Sequence, residues 1–323
     1  MADLAQQQKR NKLLTKPAVI CLLALLSCAL WGSAFPVIKI GYTLWGVPSG
    51  DYASQILFAG IRFTFAGVLT LIAGSLISKK ALLPKRGSIR NIFVLSLFQT
   101  VLQYIFFYIG LARTTGTKSS VINGVGVFFS VLLVTAVLKQ EKLTAAKALG
   151  CALGFGGVVL INLNNGGIDG GFSFFGEGFI ILSALSYAIS GVLIKSYSRT
   201  ESPVTLSGFQ FFVGGIVMTL FGLALGGRLS GGGARGIILL AYLAFLSACA
   251  YTVWGILLKY NPVSGVTVYS FMTPVFGCIM SALMLGESLK GSAVNTLISL
   301  ILVCAGIFLV NRKNKYTEKS YES

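Results

Sequence analysis

Gln99 and Gln103 stand four residues apart in a long apolar stretch, the spacing that puts two side chains on one helical face, with Tyr104 and Tyr108 on the adjoining stripe. A later stretch carries Ser247, Tyr251 and Trp254 at i, i+4 and i+7, and Trp31, Asn123, Tyr187 and Tyr269 add further polar or aromatic groups within apolar surroundings. Amides supply paired donors and acceptors, while phenol and indole rings supply a flat apolar face with one polar edge. Such a set can hold a small amphipathic molecule but has no group suited to acid–base or nucleophilic work on it. The chain contains no histidine, and no H-E-x-x-H run, aspartate pair or Ser–Lys dyad appears in it. Its cysteines (Cys21, Cys28, Cys151, Cys249, Cys278, Cys304) fall singly inside apolar runs with no C-x-x-C pair, as small soft hydrophobes do. No catalytic residue, metal site or cofactor is expected, and the chain does not read as an enzyme.

Each candidate has a second use. Aromatic residues near the ends of spans form interfacial belts, and Gln or Asn can join helices to one another. Arg62 is the cation placed furthest inside an apolar run, and an ionisable group at depth is a functional candidate by default. Its position some ten residues into its span favours a packing or gating role over anion binding.

The elements that must position these groups are set by the solvent. Hydrophobic residues make up 55% of the chain and charged residues 11%, with a mean hydropathy of +0.82. Water cannot be the solvent for most of this surface. Apolar runs bounded by charge, Gly, Pro or Asn predict spans near 18–40, 53–77, 91–111, 119–138, 145–163, 177–196, 204–225, 236–258, 265–285 and 292–310. Kinks are expected near Pro36 and Pro274. The Gly-rich stretches 164–176 and 226–236 read as linkers, and Gly150 and Gly154 form a GxxxG step suited to packing inside a bundle.

A net charge of +17 could advertise a nucleic-acid binder, but the basic residues lie between apolar runs and no helix presents a continuous basic face. Most of the Lys and Arg cluster on the side that also holds both termini; Arg113, Lys118, Arg228, Arg235 and Lys290 fall on the other. This bias puts both termini in the cytoplasm and requires an even number of spans. The expected partners are a lipid bilayer and a small-molecule substrate, with no nucleic acid.

Self-comparison relates the spans to one another. LSCALWGSAFPVIK (26–39) aligns without a gap to LSALSYAISGVLIK (182–195), setting Trp31 over Tyr187 and Lys39 over Lys195; RFTFAGVL from Arg62 aligns to QFFVGGIV from Gln210. KQEKL with Glu141 corresponds to LGESL with Glu287, and GVVLIN to GIFLVN, all in the same order. Five spans per half is an odd number, so the second half enters the membrane in the opposite sense. The expected fold is therefore an all-α integral membrane protein of ten transmembrane helices in two inverted five-helix repeats. Residues 1–17 form a cytoplasmic segment, 18–163 the first repeat, 164–176 an outer linker, 177–311 the second repeat and 312–323 a cytoplasmic tail.

With WGSAFPVIK in the first span, IRFTFAG in the second, and Glu141 and Glu287 closing the fourth and ninth, the chain resembles the EamA-type members of the drug/metabolite transporter superfamily. The resemblance implies a secondary transporter in the cytoplasmic membrane, and export of amino acids, related metabolites or drugs. Its alternatives are an importer or facilitator of choline, nucleobase or sugar-like cargo on the same fold, and a non-transporting scaffold. A substrate site between the halves is expected to draw on Trp31, Gln99, Gln103, Asn123, Tyr187, Tyr251 and Trp254, with Arg62 as a gating or structural charge. Gln210 stands where the first half has Arg62, so the second half lacks that charge. No acidic residue falls mid-span, which disfavours proton coupling through a buried carboxylate.

Overall fold

The computed structural model describes residues 12–48, 50–111, 113, 116–163, 172–285 and 293–312. All its regular elements are helical among these residues. They run as α1 (Pro17–Leu44), α2 (Tyr52–Ser78), α3 (Arg86–Leu111), α4 (Gly116–Leu132), α5 (Ala145–Leu163), α6 (Phe179–Tyr197), α7 (Pro203–Ala224), α8 (Gly233–Tyr260), α9 (Met272–Leu285) and α10 (Ala293–Asn311). Those long and apolar enough to cross a membrane, by length and composition, number 6: α1, α2, α3, α7, α8 and Phe174–Tyr197, which contains α6. Shorter apolar stretches occupy Ile122–Val137, Ala145–Leu160 and Leu297–Asn311.

Local chemistry sets the helix ends. α1 and α7 start with proline at their first position, where its fixed φ suits the helix and its missing N–H costs nothing. Asp51 caps α2, accepting from the Ser54 amide at 3.0 Å and its hydroxyl at 2.6 Å. Those bonds hold the Asp51 carboxyl below its ordinary range. α1 continues as helix through Pro36. Ahead of Pro274 the chain instead tightens, passing from a short turn at Val263–Thr267 into a 3₁₀ turn at Val268–Phe271. A π turn at Leu97–Leu102 interrupts α3, and another at Leu133–Val137 closes α4.

Two seams bring helix backbones almost into contact. A Cβ added at Gly67 would lie 2.4 Å from the Phe212 amide, and one at Gly215 would lie 2.3 Å from the Thr64 amide. One at Gly60 would meet the Thr219 amide at 2.4 Å, so α2 and α7 touch along their length only because these positions are glycine. The second seam joins α5 to α10: a Cβ at Gly150 would sit 2.7 Å from the Gly306 carbonyl, and one at Gly157 would sit 2.7 Å from the Ser299 carbonyl. The GxxxG step thus serves packing inside the bundle. Around the seams, α1 packs on α8 and α9, α6 on α3 and α4, α8 on α2, and α3 on α7.

The stretch 226–236 is docked, contrary to its reading as a free linker. The Gly232 amide donates to the Leu44 carbonyl at 2.7 Å and the Ser230 amide to Trp45 at 3.1 Å, while Trp45 Nε1 reaches the Gly236 carbonyl at 3.3 Å. Gly232 has φ of 77° and a Cβ there would meet the Trp45 ring at 2.7 Å, so glycine is required for both backbone shape and close approach. Of the stretch 164–176, residues 164–171 lie outside the described residues. Many large apolar side chains face outward, among them Leu22, Leu76, Ile77 and Ile238, as lipid contact requires.

The seams predict opposite responses to one methyl group. Gly67→Ala, at the seam, is expected to destabilise by about 1–3 kcal/mol, whereas Gly156→Ala, with nothing within 4 Å, should be neutral or stabilising by up to about 1 kcal/mol. Thermal unfolding of the two variants in detergent measures the difference.

Candidate functional site

A cavity of about 330 Å³ lies between α1, α2, α3, α4, α6, α8 and α9. Its floor is aromatic. Trp31 of α1 meets Tyr251 of α8 edge-on at 5.0 Å and Tyr187 of α6 at 6.5 Å, and Tyr104 and Tyr251 share a hydrogen bond of 2.6 Å between their hydroxyls. Trp254 packs against Trp31 at 4.9 Å but is buried outside the cavity wall, where it supports the floor.

The walls bring most of the other candidates together. Gln103, Asn123 and Arg62 line the cavity with Trp31, Tyr187 and Tyr251. Gln99 does not. Gln99 lies in the π turn of α3, buried away from the cavity lining. Buried polar atoms that make no hydrogen bond within the protein include Trp31 Nε1, Gln103 Oε1, Ser119 Oγ and Tyr187 OH, each on a residue that lines the cavity. A buried polar atom left unpaired costs about 1–3 kcal/mol, so several around one space favour a ligand that pairs with them.

Arg62 is 2% exposed, and its Nε and Nη2 donate to the single hydroxyl oxygen of Ser247 at 3.0 and 2.8 Å. Ser247 is itself fixed by donating to the Leu243 carbonyl at 2.9 Å. Ser247, named in the sequence as part of a binding face, thus acts by orienting the guanidinium. Ser119, Ser183 and Phe107 also line the cavity and were not singled out from sequence. Ser183 had a readable signal: it lies four residues before Tyr187 on the same helical face.

The lining occupies one half of the bundle, running along α1 from Trp31 to Tyr42 and along α3 from Gln103 to Leu111. The other half is packed around Cys28, Leu95, Leu258 and Phe271. It is also closed by polar contacts between helix ends. Lys195 Nζ donates to the Leu258 and Asn261 carbonyls at 3.1 and 2.5 Å, capping the C-terminus of α8 with a positive charge. Asn261 Nδ2 donates to the Leu14 carbonyl at 3.1 Å. Glu141 pairs with Lys147 at 2.8 Å and accepts from the hydroxyl and amide of Ser264. Burial pushes the Glu141 carboxyl up, but Lys147 and Ser264 outweigh it and hold the group below the ordinary glutamate range. Glu287, its counterpart in the duplication, lies outside the described residues. Lys39, the counterpart of Lys195, lines the cavity.

The fold and the site together define a class: a helical, multi-pass membrane protein with an aromatic and polar cavity inside its bundle. The EamA-like transporter family model matches residues 18–163 and again residues 174–312. The chain belongs to that family, and is a transporter rather than an enzyme. It is 27% identical over 289 residues to an uncharacterized transporter of Archaeoglobus fulgidus, covering 89% of this chain and 97% of that one. Against an uncharacterized transporter of Bacillus subtilis it is 27% identical over 315 residues, covering 94% and 95%. A Salmonella typhimurium protein named a probable amino-acid metabolite efflux pump is 26% identical over 300 residues, covering 89% and 93%. A solved crystal structure superposes with a TM-score of 0.72 at 17% identity over 95% of this chain and 100% of that one, a likeness of fold alone.

Glu141 supplies a pH test of the packed end. Because its folded-state carboxyl is lowered, its contribution to stability is complete above the ordinary glutamate value of 4.5 and is lost as pH falls through the folded value. Glu141→Gln is expected to cost about 1–3 kcal/mol at neutral pH and to remove that acid-side loss. Unfolding temperature in detergent, measured against pH for both proteins, checks this.

Proposed function

We propose that the protein is a secondary transporter of ten transmembrane helices in two inverted five-helix repeats, 18–163 and 177–311, with both termini cytoplasmic. It carries a small polar or amphipathic metabolite outward across the cytoplasmic membrane by alternating access. The observation that carries this reading is the cavity: Trp31 Nε1, Gln103 Oε1, Ser119 Oγ and Tyr187 OH, buried without a hydrogen bond, all belong to side chains that line it. A scaffold has no use for such an interior. Export and a metabolite of the amino-acid kind are supported by the name of the Salmonella typhimurium relative.

The inverted arrangement is supported by contacts that occur in pairs. Gly67 against Phe212 is matched by Gly215 against Thr64, residues that the duplication sets in register. Gly150 against Gly306 is matched likewise by Gly157 against Ser299. The helix pairs α1–α8 and α6–α3, α1–α9 and α6–α4, and α2–α8 and α7–α3 follow the same exchange. Two halves related this way can pack in two senses, each opening the site to one side. The present asymmetry, a cavity in one half and a packed core in the other, fits one of those senses. Substrate contacts then fall to Trp31, Gln103, Asn123, Tyr187 and Tyr251 on the wall, with Trp254 supporting it from behind. No Asp or Glu lines the cavity among the described residues, which supports movement down the cargo's own gradient over proton coupling at the site.

Accessibility tests the reading. In a variant lacking the native cysteines, Gln103→Cys reconstituted in vesicles is expected to react with an impermeant maleimide from each face in turn. Protection from both faces, while a control cysteine at exposed Ser78 reacts, overturns alternating access through this cavity.

A further inference from the structure

Among the described residues, no carboxylate pairs with Arg62 in the cavity wall. Arg62 meets the Ser247 hydroxyl and the face of Phe63, whose ring centre is 4.9 Å from the guanidinium carbon. The only other cation among the described lining residues is Lys39, and no Asp or Glu is among those residues. A guanidinium carries five N–H donors, and those bonds occupy two of them. A charge buried this deeply is costly unless something neutralises it.

Packing does not account for the charge. Gln210 holds the corresponding place in the second half, where it is fully buried on α7 and accepts from Thr100 Oγ1 of α3 at 2.6 Å, much as Arg62 meets Ser247 of α8. The same slot in the same scaffold is thus filled by a neutral amide. The copy that lines the cavity is the charged one: Arg62 is in the wall and Gln210 is not.

We infer that Arg62 is a specificity-determining residue that seats a carboxylate of the cargo, whose apolar part lies on Trp31, Tyr187 and Tyr251. The inference rests on the reading of this cavity as the transport site. Ser247 holds the guanidinium in place before the cargo arrives, so its remaining donors can form charge-assisted hydrogen bonds with a planar carboxylate. An anionic or zwitterionic cargo is accepted. A cargo whose only charge is positive meets the Arg62 guanidinium with no carboxylate to offer it and is rejected. This departs from the packing or gating role that position along the chain had favoured for Arg62.

Charge-matched compounds test the inference. Three carbon skeletons, straight-chain, branched and phenyl, are each supplied as a carboxylic acid, an amino acid and an amine: hexanoate, norleucine and hexylamine; 4-methylpentanoate, leucine and 4-methylpentylamine; 3-phenylpropanoate, phenylalanine and 3-phenylpropylamine. Thermal shift of purified protein is expected to rise with acids or amino acids of at least one skeleton and with none of the amines. Arg62→Gln should weaken that binding roughly tenfold to a hundredfold, and Arg62→Lys, which keeps the charge, should restore part of it. If Arg62→Gln does not fold, the Arg62→Lys comparison and the wild-type charge series decide. Stabilisation by amines, or binding of acids unchanged in the variants, overturns the carboxylate role. If no compound binds while Gln103→Cys still reacts from both faces, the carboxylate role falls and the transporter reading stands. If no compound binds and Gln103→Cys is protected from both faces, both fall.

Discussion

The closeness of two helix pairs, α2 with α7 and α5 with α10, governs where everything else can go. At Gly60, Gly67 and Gly215 the neighbouring backbone lies where a side chain would begin, so these helices meet main chain to main chain. Without a hydrophobic drive between helices in lipid, such dispersion-rich contact is a main source of association. Because α2 and α7 are clamped to each other, α8 packs on α2 and α3 on α7, which brings Ser247 to Arg62 and Thr100 to Gln210. The polar residues of the interior are therefore placed by glycines that never touch the cavity.

Much of this was legible in the chain, for a physical reason. A bilayer forces every backbone polar group to be satisfied within its own segment, so long apolar runs announce helices directly. The duplication then paired Trp31 with Tyr187 and Arg62 with Gln210 by register alone. What escaped depends on departures from ideal helix geometry. Gln99 is buried within the π turn at Leu97–Leu102 and stays off the wall that Gln103 lines, though their spacing puts them on one face of a regular helix, and no residue type in LFQTVL marks that turn. The run GGRLSGGGARG has the composition of a tether, yet its glycines serve to fit beneath Trp45 and to adopt positive φ. Composition reports permissiveness; it does not report whether a neighbour uses it.

The interior is sparing with charge, and that restraint shapes what it can recognise. Hydrogen-bond donors and acceptors on aromatic and amide side chains orient a cargo without the desolvation cost of further ions. One guanidinium among them then dominates the local field, since low dielectric strengthens every interaction it makes. The same dielectric explains why Lys195 ends on carbonyls at the end of α8 and Glu141 on Lys147 and Ser264: charges at the bundle's ends still need close partners.

The contacts divide into two kinds, and on the proposed reading each kind has a separate task. The glycine seams are continuous and backbone-close, so sliding or opening one exposes main chain along its length and loses many contacts together. The packed end is different: besides apolar contacts it is held by a few side-chain bonds, Lys195 to α8, Asn261 to Leu14 and Glu141 to Ser264. Each of these has a net worth of about 0.5–3 kcal/mol, a scale that ligand binding can offset. Alternation between two arrangements therefore has to keep α2 with α7 and α5 with α10 as units, and move α1, α4, α6 and α9 against them. Those four helices, together with α2, α3 and α8, bear the cavity. Trp31, Asn123 and Tyr187 thus sit on elements free to close around a cargo that Arg62, on the clamped α2, holds from the fixed side.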